Sequence, residues 1–189
     1  KGNYVVLAGR PTDNSAKLFR EGAMKISGPL AQKGDIRNVI GQFVKDWQPA
    51  EAQKLMEQAL TANQNKIDAV LAPNDGTAGG AIRALAAQGL AGKVPVTGQD
   101  AELAGAIRIV QGTQSMTIFK DTRLLGKKAI EMALALAAGK PIDTQGKVVF
   151  NNKKDVPSVL LTPFVVTRDN LDKMLIDSGY LQKDRVYRK

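Results

Sequence analysis

Residues 67–100 constrain the fold more than any other stretch, because two short apolar runs in it each end in a cluster of hydrogen-bonding side chains. A helical pattern lies between the two runs, and a strand, a crossover helix and a second strand form a right-handed unit with parallel strands. Both polar clusters then lie at the carboxyl ends of neighbouring strands, where open α/β sheets bind ligands. The predicted strands are 69–72 and 94–97, the helix is 77–88 with Gly89 at its end, and the polar clusters are 73–75 and 98–100.

The same alternation of strand and helix patterns continues through most of the chain. It predicts an α/β fold with a doubly wound parallel sheet. The predicted helices are 15–26, closed by Gly28-Pro29, then 49–60, 101–111, 122–138 and 170–178. The predicted buried stripe of helix 49–60 is Ala52, Leu55, Met56, Ala59 and Leu60. The other predicted strands are 5–8, 36–44, 115–119, 148–150 and 158–166, and the charged tail 181–189 is expected to be loosely held.

Composition excludes several kinds of chemistry. The chain of 189 residues has no Cys and no His, which excludes disulfides, thiolate metal sites, a cysteine nucleophile and Ser-His-Asp triads. Its net charge of +9 is spread along the sequence, with minor concentrations at 147–154 and 183–189 and no interleaved aromatic residues. Spread charge is typical of a solvated surface, so no nucleic-acid partner is predicted. We also predict no metal, no cofactor and no catalytic residue.

Asp100 and Asn74 are the leading candidates for contact with a ligand. A carboxylate accepts from hydroxyls, and an amide both donates and accepts. Each residue also has a structural interpretation: Asp100 could cap a helix that begins at Ala101, and Asn74 could be a turn residue after Pro73. Asp75 is interpreted as the cap of the helix that follows.

Three other features have competing interpretations. Trp47, the only tryptophan, lies in a polar loop and is either a stacking platform for a ligand or a core residue. Asp13 and Asn14 precede a helix, and capping alone would account for both. Gly79-Gly80 lie inside a helical pattern without a phosphate-binding motif, so we interpret them as sites of close helix packing.

Taken together, a series of short motifs resembles the substrate-binding proteins of bacterial sugar ABC importers, most strongly the members that bind xylose. The resemblance covers nearly the whole chain, but family members have a complete first lobe before the strand that 5–8 resembles. The motifs are Thr12–Lys17, Asp46–Pro49, Ala72–Ala81, Gly98–Ala101, Gly112–Gln114 and Asp155–Ser158.

This resemblance implies a type I periplasmic-binding-protein fold, a clamp of two lobes that closes on a monosaccharide and performs no catalysis. Residues 1–115 would form most of the second lobe, 116–150 would cross into the first lobe, 151–180 would return, and 181–189 would be a basic tail. D-xylose, or a related pentose or hexose, would be the ligand, and a membrane permease the partner. The implied sugar contacts are Asp100, Asn74, Trp47, Asn14, Lys17, Lys120 and Asp13.

Further expectations concern location and completeness. The resemblance implies a periplasmic or extracytoplasmic protein, with a lipoprotein tether as one form. No signal-sequence pattern precedes Val5, so we expect a mature or truncated chain. Alone, it should bind monosaccharides weakly or not at all. Helix 122–138 would expose its apolar stripe of Leu125, Ala129, Met132 and Leu136, so we expect the chain to self-associate, swap segments or need a complementary first-lobe chain. Two other functions stay open: a sugar-sensing module of the same fold, and an enzyme with a doubly wound fold, against which the absence of His and Cys argues.

Overall fold

A computed structural model describes residues 1–151 and 153–188, and the chain divides into two compact units. Unit 1 contains 1–119 and 165–189, and unit 2 contains 120–164. Both boundaries fall later than the expected ones at 115 and 150. The assignment of these segments to two lobes stays a prediction.

Strands and helices alternate along unit 1, as the sequence predicts. Single turns of 3-10 and π helix cover Lys45–Trp47 and Asp172–Ile176, respectively. The strands are β1 (Gly2–Ala8), β2 (Ile36–Phe43), β3 (Ala69–Leu71), β4 (Thr117–Phe119), β5 (Val148–Phe150), β6 (Asp155–Pro157) and β7 (Phe164–Val166). The helices are α1 (Asn14–Gln32), α2 (Pro49–Ala62), α3 (Asp75–Ala87), α4 (Leu103–Val110), α5 (Thr122–Ala137) and α6 (Lys183–Val186).

The central sheet of unit 1 has the order β2-β1-β3, and both pairs are parallel. The chain runs from β1 outward to β2 and then crosses back to β3 on the other side of β1. Because such crossovers are right-handed, α1 and α2 lie on opposite faces of the sheet. The predicted doubly wound arrangement is therefore confirmed, and its switch point lies between β1 and β3.

The main apolar core lies between the sheet and the helices α2 and α3. Val5 and Leu7 of β1 contribute to it, as does the predicted stripe of α2, of which Ala52, Met56, Ala59 and Leu60 are buried. A methyl group added at Gly80 would overlap the carbonyl oxygen of Pro49. The glycine therefore lets α3 approach α2 closely, as the sequence predicted.

The predicted strand 94–97 is reduced to a single parallel bridge between Val70 and Val96. The Val70 N–H donates to the Pro95 carbonyl at 2.9 Å, and the Thr97 N–H donates to the Val70 carbonyl at 3.0 Å. Pro95 has no N–H with which to extend the ladder, which explains why the pairing is so short.

A second apolar cluster stabilises the far end of unit 1. It joins α4 and the two-stranded sheet β4-β7 to the C-terminal turns. Val186 of α6 is 1% exposed in this cluster, so the expectation of a loosely held tail is wrong for the segment that leads to this residue. Burial of an apolar side chain holds this segment in place. Lys189 lies outside the described residues.

Unit 2 consists of α5 and the antiparallel hairpin β5-β6. None of its described residues is buried. On α5, the side chains of Ile130, Leu134 and Leu136 are 63%, 66% and 65% exposed. Of the stripe predicted on this helix, Leu125, Ala129 and Leu136 are exposed as expected, and Met132 is half-buried. In the described part of the chain, no helix combines the length and the apolar character needed to cross a membrane.

Two further element boundaries differ from those predicted. Helix α1 continues through Gly28-Pro29 to Gln32, and Gly34, with φ of +75°, follows its end. Pro29 removes only the bond to the carbonyl of Lys25, an exposed residue, and glycine supplies the left-handed conformation that ends helices. The predicted strand 158–166 is limited to β7, whose start directly follows Pro163.

Candidate functional site at the carboxyl edge of the sheet

The candidate residues of unit 1 all follow strands at their carboxyl ends. Asp13 and Asn14 follow β1, Trp47 follows β2, Asn74 follows β3, and Asp100 follows the bridge at Val96. Since these strands are parallel, their carboxyl ends meet at one edge of the sheet. The edge contains the switch point between β1 and β3, the place where doubly wound sheets bind ligands.

Asn74, and not Asp75, caps α3. Its Oδ1 accepts from the Thr77 N–H at 2.9 Å and from the Thr77 hydroxyl at 2.7 Å. The Thr77 hydroxyl lies 3.4 Å from the Asn74 N–H, which completes a capping box. The cap uses Oδ1, and the Nδ2 amide group has two N–H groups suited to donate to a hydroxyl oxygen. The interpretation of Asp75 as the cap is wrong, because Asn74 provides the same chemistry one residue earlier.

Asp100 and Ala101 form a strained turn. Both have left-handed backbone conformations, with φ of +95° and +52°, which side-chain-bearing residues adopt at a cost. Helix α4 begins only at Leu103, with Glu102 as its N-cap residue. The interpretation of Asp100 as the N-cap is therefore wrong: the turn displaces the start of the helix by two residues.

The loops that carry Asn74 and Asp100 are joined by hydrogen bonds. The Asp75 N–H donates to the Gln99 carbonyl at 2.9 Å, and Gln99 Nε2 donates to the Pro73 carbonyl at 2.9 Å. The residues adjoining the two candidates are thus in direct contact. This agrees with the expectation that Asn74 and Asp100 lie near each other at the carboxyl edge.

Asp75 is a buried carboxylate whose importance is not evident from the local sequence. Its Oδ1 accepts from Gln114 Nε2 at 2.6 Å, and its Oδ2 accepts from the Glu102 N–H at 2.9 Å and the Thr117 hydroxyl at 3.0 Å. Burial raises the pKa of Asp75 to about 6, although these three donors act in the opposite direction. Asp75 therefore joins α3, α4 and β4 beneath the candidate site.

Glycines leave room for this carboxylate. A methyl group added at Gly98 or Gly105 would overlap the Asp75 oxygens. Arg108 extends the network, since its Nη2 donates to the Asp75 carbonyl and its Nε to Gln114 Oε1, at 2.6 and 2.9 Å. The two glycines are the sequence signal of a close approach, but which residue approaches them is visible only in the fold.

Trp47 lies at the site edge and belongs to neither apolar cluster. Its side chain is half-buried, its Nε1 donates to Asp13 Oδ2 at 3.2 Å, and its ring covers Gly9, where an added methyl group would overlap it. Asp13 also caps α1 by accepting from the Ser15 N–H at 2.8 Å. Asp13 thus orients Trp47, whose role as a stacking platform stays a prediction.

The remaining candidates are less constrained by the fold. Asn14 and Lys17 are exposed in the first turn of α1. Lys120 is half-buried and is the first residue of unit 2, directly after β4. Contacts of these three residues with a sugar stay predictions.

A doubly wound sheet with polar residues at the carboxyl edge of its switch point is typical of α/β domains that bind ligands there. Residues 1–141 match the family model described as periplasmic binding protein domain, so the chain belongs to this family. The structure has the type I fold of these proteins, as the sequence predicted.

Three similar proteins place the chain within the family. The D-xylose-binding periplasmic protein of Escherichia coli K12 is 51% identical over 181 residues, which cover 95% of this chain and 54% of that protein. The multiple sugar-binding periplasmic receptor ChvE of Rhizobium radiobacter is 39% identical over 197 residues, which cover 97% and 56%. A crystal structure of an ABC transporter solute binding protein from Clostridium phytofermentans with bound β-D-glucose superposes with a TM-score of 0.86 and 34% identity, covering 98% of this chain and 60% of that one. This chain spans about half the length of the curated relatives it matches.

Proposed function

We propose that this chain supplies one wall of a monosaccharide site in the solute-binding protein of a bacterial ABC sugar importer, with D-xylose as the first candidate ligand. The observation that carries the proposal is the joining of the Asn74 and Asp100 loops at the carboxyl edge of the sheet. The 51% identity to a D-xylose-binding periplasmic protein supports the choice of sugar.

The chemistry of the edge suits a sugar. Asp100 would accept hydrogen bonds from two ring hydroxyls, and charge-assisted bonds of this kind contribute roughly 1.5–3 kcal/mol each. The Nδ2 group of Asn74 would donate to a hydroxyl oxygen. Trp47, oriented by Asp13, would cover the C–H face of the ring. Asn14, Lys17 and Lys120 would complete the polar contacts.

The remaining parts of the proposal concern the whole protein. The second wall of the site would be formed by the part of the complete protein that corresponds to the unmatched half of the relatives. Closure of the two walls would exclude water from the sugar. The loaded protein would deliver the sugar to a membrane permease. We place this function in the periplasm, or outside the membrane on a tether, and assign no reaction to the site.

A second candidate function is sugar sensing. The observation in its favour is that one relative, 39% identical, is named a periplasmic receptor. In this case the closed, sugar-loaded protein would bind a membrane receptor instead of a permease. Deleting the gene distinguishes the two, since only a transport component is needed for growth on the sugar at low concentration.

Isothermal titration calorimetry on the product of the complete reading frame tests the binding proposal. Xylose, glucose, arabinose, ribose and allose would be compared, and xylose should bind with the highest affinity. Asp100→Asn keeps a residue that tolerates positive φ but removes the charge, and should weaken xylose binding at least tenfold. The control Asp184→Asn, at an exposed position of α6, should leave the affinity unchanged. The absence of saturable binding of any monosaccharide would contradict the proposal.

A further inference from the structure

The backbone of the Asp100–Ala101 turn is held by three consecutive amide hydrogen bonds. The Asp100 N–H donates to the Ile118 carbonyl at 2.9 Å, the Ala101 N–H to the Thr117 hydroxyl at 3.1 Å, and the Glu102 N–H to Asp75 Oδ2 at 2.9 Å. Two of the three acceptors are side chains. Because left-handed conformations at Asp and Ala are unfavourable, the turn needs such contacts to persist.

The two side-chain acceptors also bond to each other. Thr117 and Asp75 are both 0% exposed, and the Thr117 hydroxyl donates to the same Oδ2 that accepts from the Glu102 N–H. The donor and the acceptor capacity of the hydroxyl are therefore both used: it accepts from Ala101 and donates to Asp75. A side chain of another chemistry cannot perform both roles at this position.

The Asp75 carboxylate is itself fixed on its other side. Gln114 Nε2 donates to Oδ1 at 2.6 Å, and Arg108 Nε holds Gln114 by donating to its Oε1 at 2.9 Å. Gly98 and Gly105 pack directly against the carboxylate, since a methyl group added at either would overlap its oxygens. The turn is thus hydrogen-bonded to a buried and fully bonded carboxylate.

We propose that Thr117 and Asp75 are positioning residues, which hold the strained Asp100–Ala101 turn so that the Asp100 carboxylate faces the ligand. This inference rests on the proposed function, in which Asp100 contacts a sugar. Neither positioning residue can touch the sugar, since both are fully buried. Preorganisation of the ligand-contacting carboxylate is the benefit that offsets the strain of the turn.

A matched pair of substitutions at Thr117 tests the inference by calorimetry with xylose on the complete protein. Thr117→Val keeps the shape and removes the hydroxyl, and should weaken binding at least tenfold. Thr117→Ser keeps the hydroxyl and removes the methyl group, and should stay within about threefold of the parent, since a lost buried methyl affects mainly stability. The opposite order, with Val binding normally and Ser weakened, would assign Thr117 a packing role and overturn the proposal. Thr117→Ala against Thr117→Ser makes the same comparison if the Val variant does not fold.

Amide hydrogen exchange, measured by NMR, reports on the stability of the turn in the absence of sugar. In Thr117→Val, the amides of Ala101 and Glu102 should exchange at least tenfold faster than in the parent, while Val70 in the central sheet should be unaffected. In Thr117→Ser they should exchange as in the parent. Unchanged exchange of both amides in Thr117→Val would overturn the proposal. If the parent binds no monosaccharide, the proposed function fails, and the exchange result alone still decides whether the buried pair holds the turn.

Discussion

Replacing Asp75 by Asn should change how the stability of this protein depends on pH. Burial raises the pKa of Asp75 from 3.8 to about 6, so the native state binds this proton more tightly than the unfolded chain does. By linkage, the contribution of Asp75 to the free energy of unfolding is largest below the unfolded-state pKa. It decreases as the pH rises through the range between the two values and is fully lost above the native-state pKa. Asn has no proton to lose, so the variant lacks this dependence.

The size of this pH-dependent contribution to the free energy of unfolding follows from the native-state and unfolded-state pKa values of Asp75. A rise from 3.8 to about 6 corresponds to about 3 kcal/mol in total, at roughly 1.4 kcal/mol per pH unit. Between about pH 4.5 and about pH 7.5, about 2 kcal/mol of this change is measurable. Asn also cannot accept at both oxygen positions, so Gln114 or the Thr117 side of the network loses an acceptor. That loss costs about 1–3 kcal/mol at any pH.

Urea unfolding followed by circular dichroism across this pH range gives the free energies for the parent, Asp75→Asn and the exposed control Asp184→Asn. The contributions of titrating groups that the parent and the variant share cancel when their free energies of unfolding are subtracted. The stability advantage of the parent over Asp75→Asn should shrink by about 2 kcal/mol from acidic to neutral pH. A constant or growing difference would refute the reasoning, because the three donors would then outweigh burial at Asp75.

Other substitutions test the remaining parts of the account. Trp47→Ala should weaken xylose binding by roughly 1–3 kcal/mol without unfolding the protein, and xylose should change the fluorescence of Trp47; loss of the fold would instead assign this residue a structural role. Gly80→Ala should destabilise the fold by about 1–3 kcal/mol in thermal or urea unfolding, because its methyl group would overlap the Pro49 carbonyl. Gly22→Ala, a control in α1 with no atom within 4 Å of the added methyl group, should be neutral or stabilising, and equal effects at both glycines would contradict the packing argument. The 189-residue chain expressed alone should self-associate, as measured by its molar mass in light scattering, and Leu134→Lys on the exposed face of α5 should reduce the association. A monomeric parent chain would contradict this prediction.

Local patterns in the sequence were sufficient to predict most of the elements. The stripe of α2 was correct because burial on one helical face repeats at a fixed period, which a single segment displays by itself. The polar clusters after each strand were also visible, since parallel strands place their carboxyl ends at one edge. These two features led to the doubly wound fold and to the position of the candidate site.

Capping residues could be predicted only approximately. Asn74 and Asp75 have the same capping chemistry, and tertiary contacts make Asn74 the cap while Asp75 is buried. The end of α1 was misplaced further, since Gly34, and not Gly28, follows it. Neighbouring residues with equal local propensity compete, and the rest of the fold selects between them.

The buried network could not be predicted from local sequence. Asp75 meets Glu102, Gln114 and Thr117, which are 27, 39 and 42 residues away along the chain. No spacing rule joins residues so far apart, because their contact depends on strand order and on the strained turn at Asp100. Polar residues that support a site from below are therefore harder to recognise than those that line it.

A crystal structure of the complete protein with bound D-xylose would show whether the carboxyl edge of the sheet holds the sugar. We expect the sugar at this edge, with its hydroxyls in hydrogen-bond contact with the Asp100 carboxylate and with Asn74 Nδ2. The Asp100–Ala101 turn should keep its left-handed conformation. A sugar bound elsewhere, with no contact to Asp100 or Asn74, would contradict this expectation.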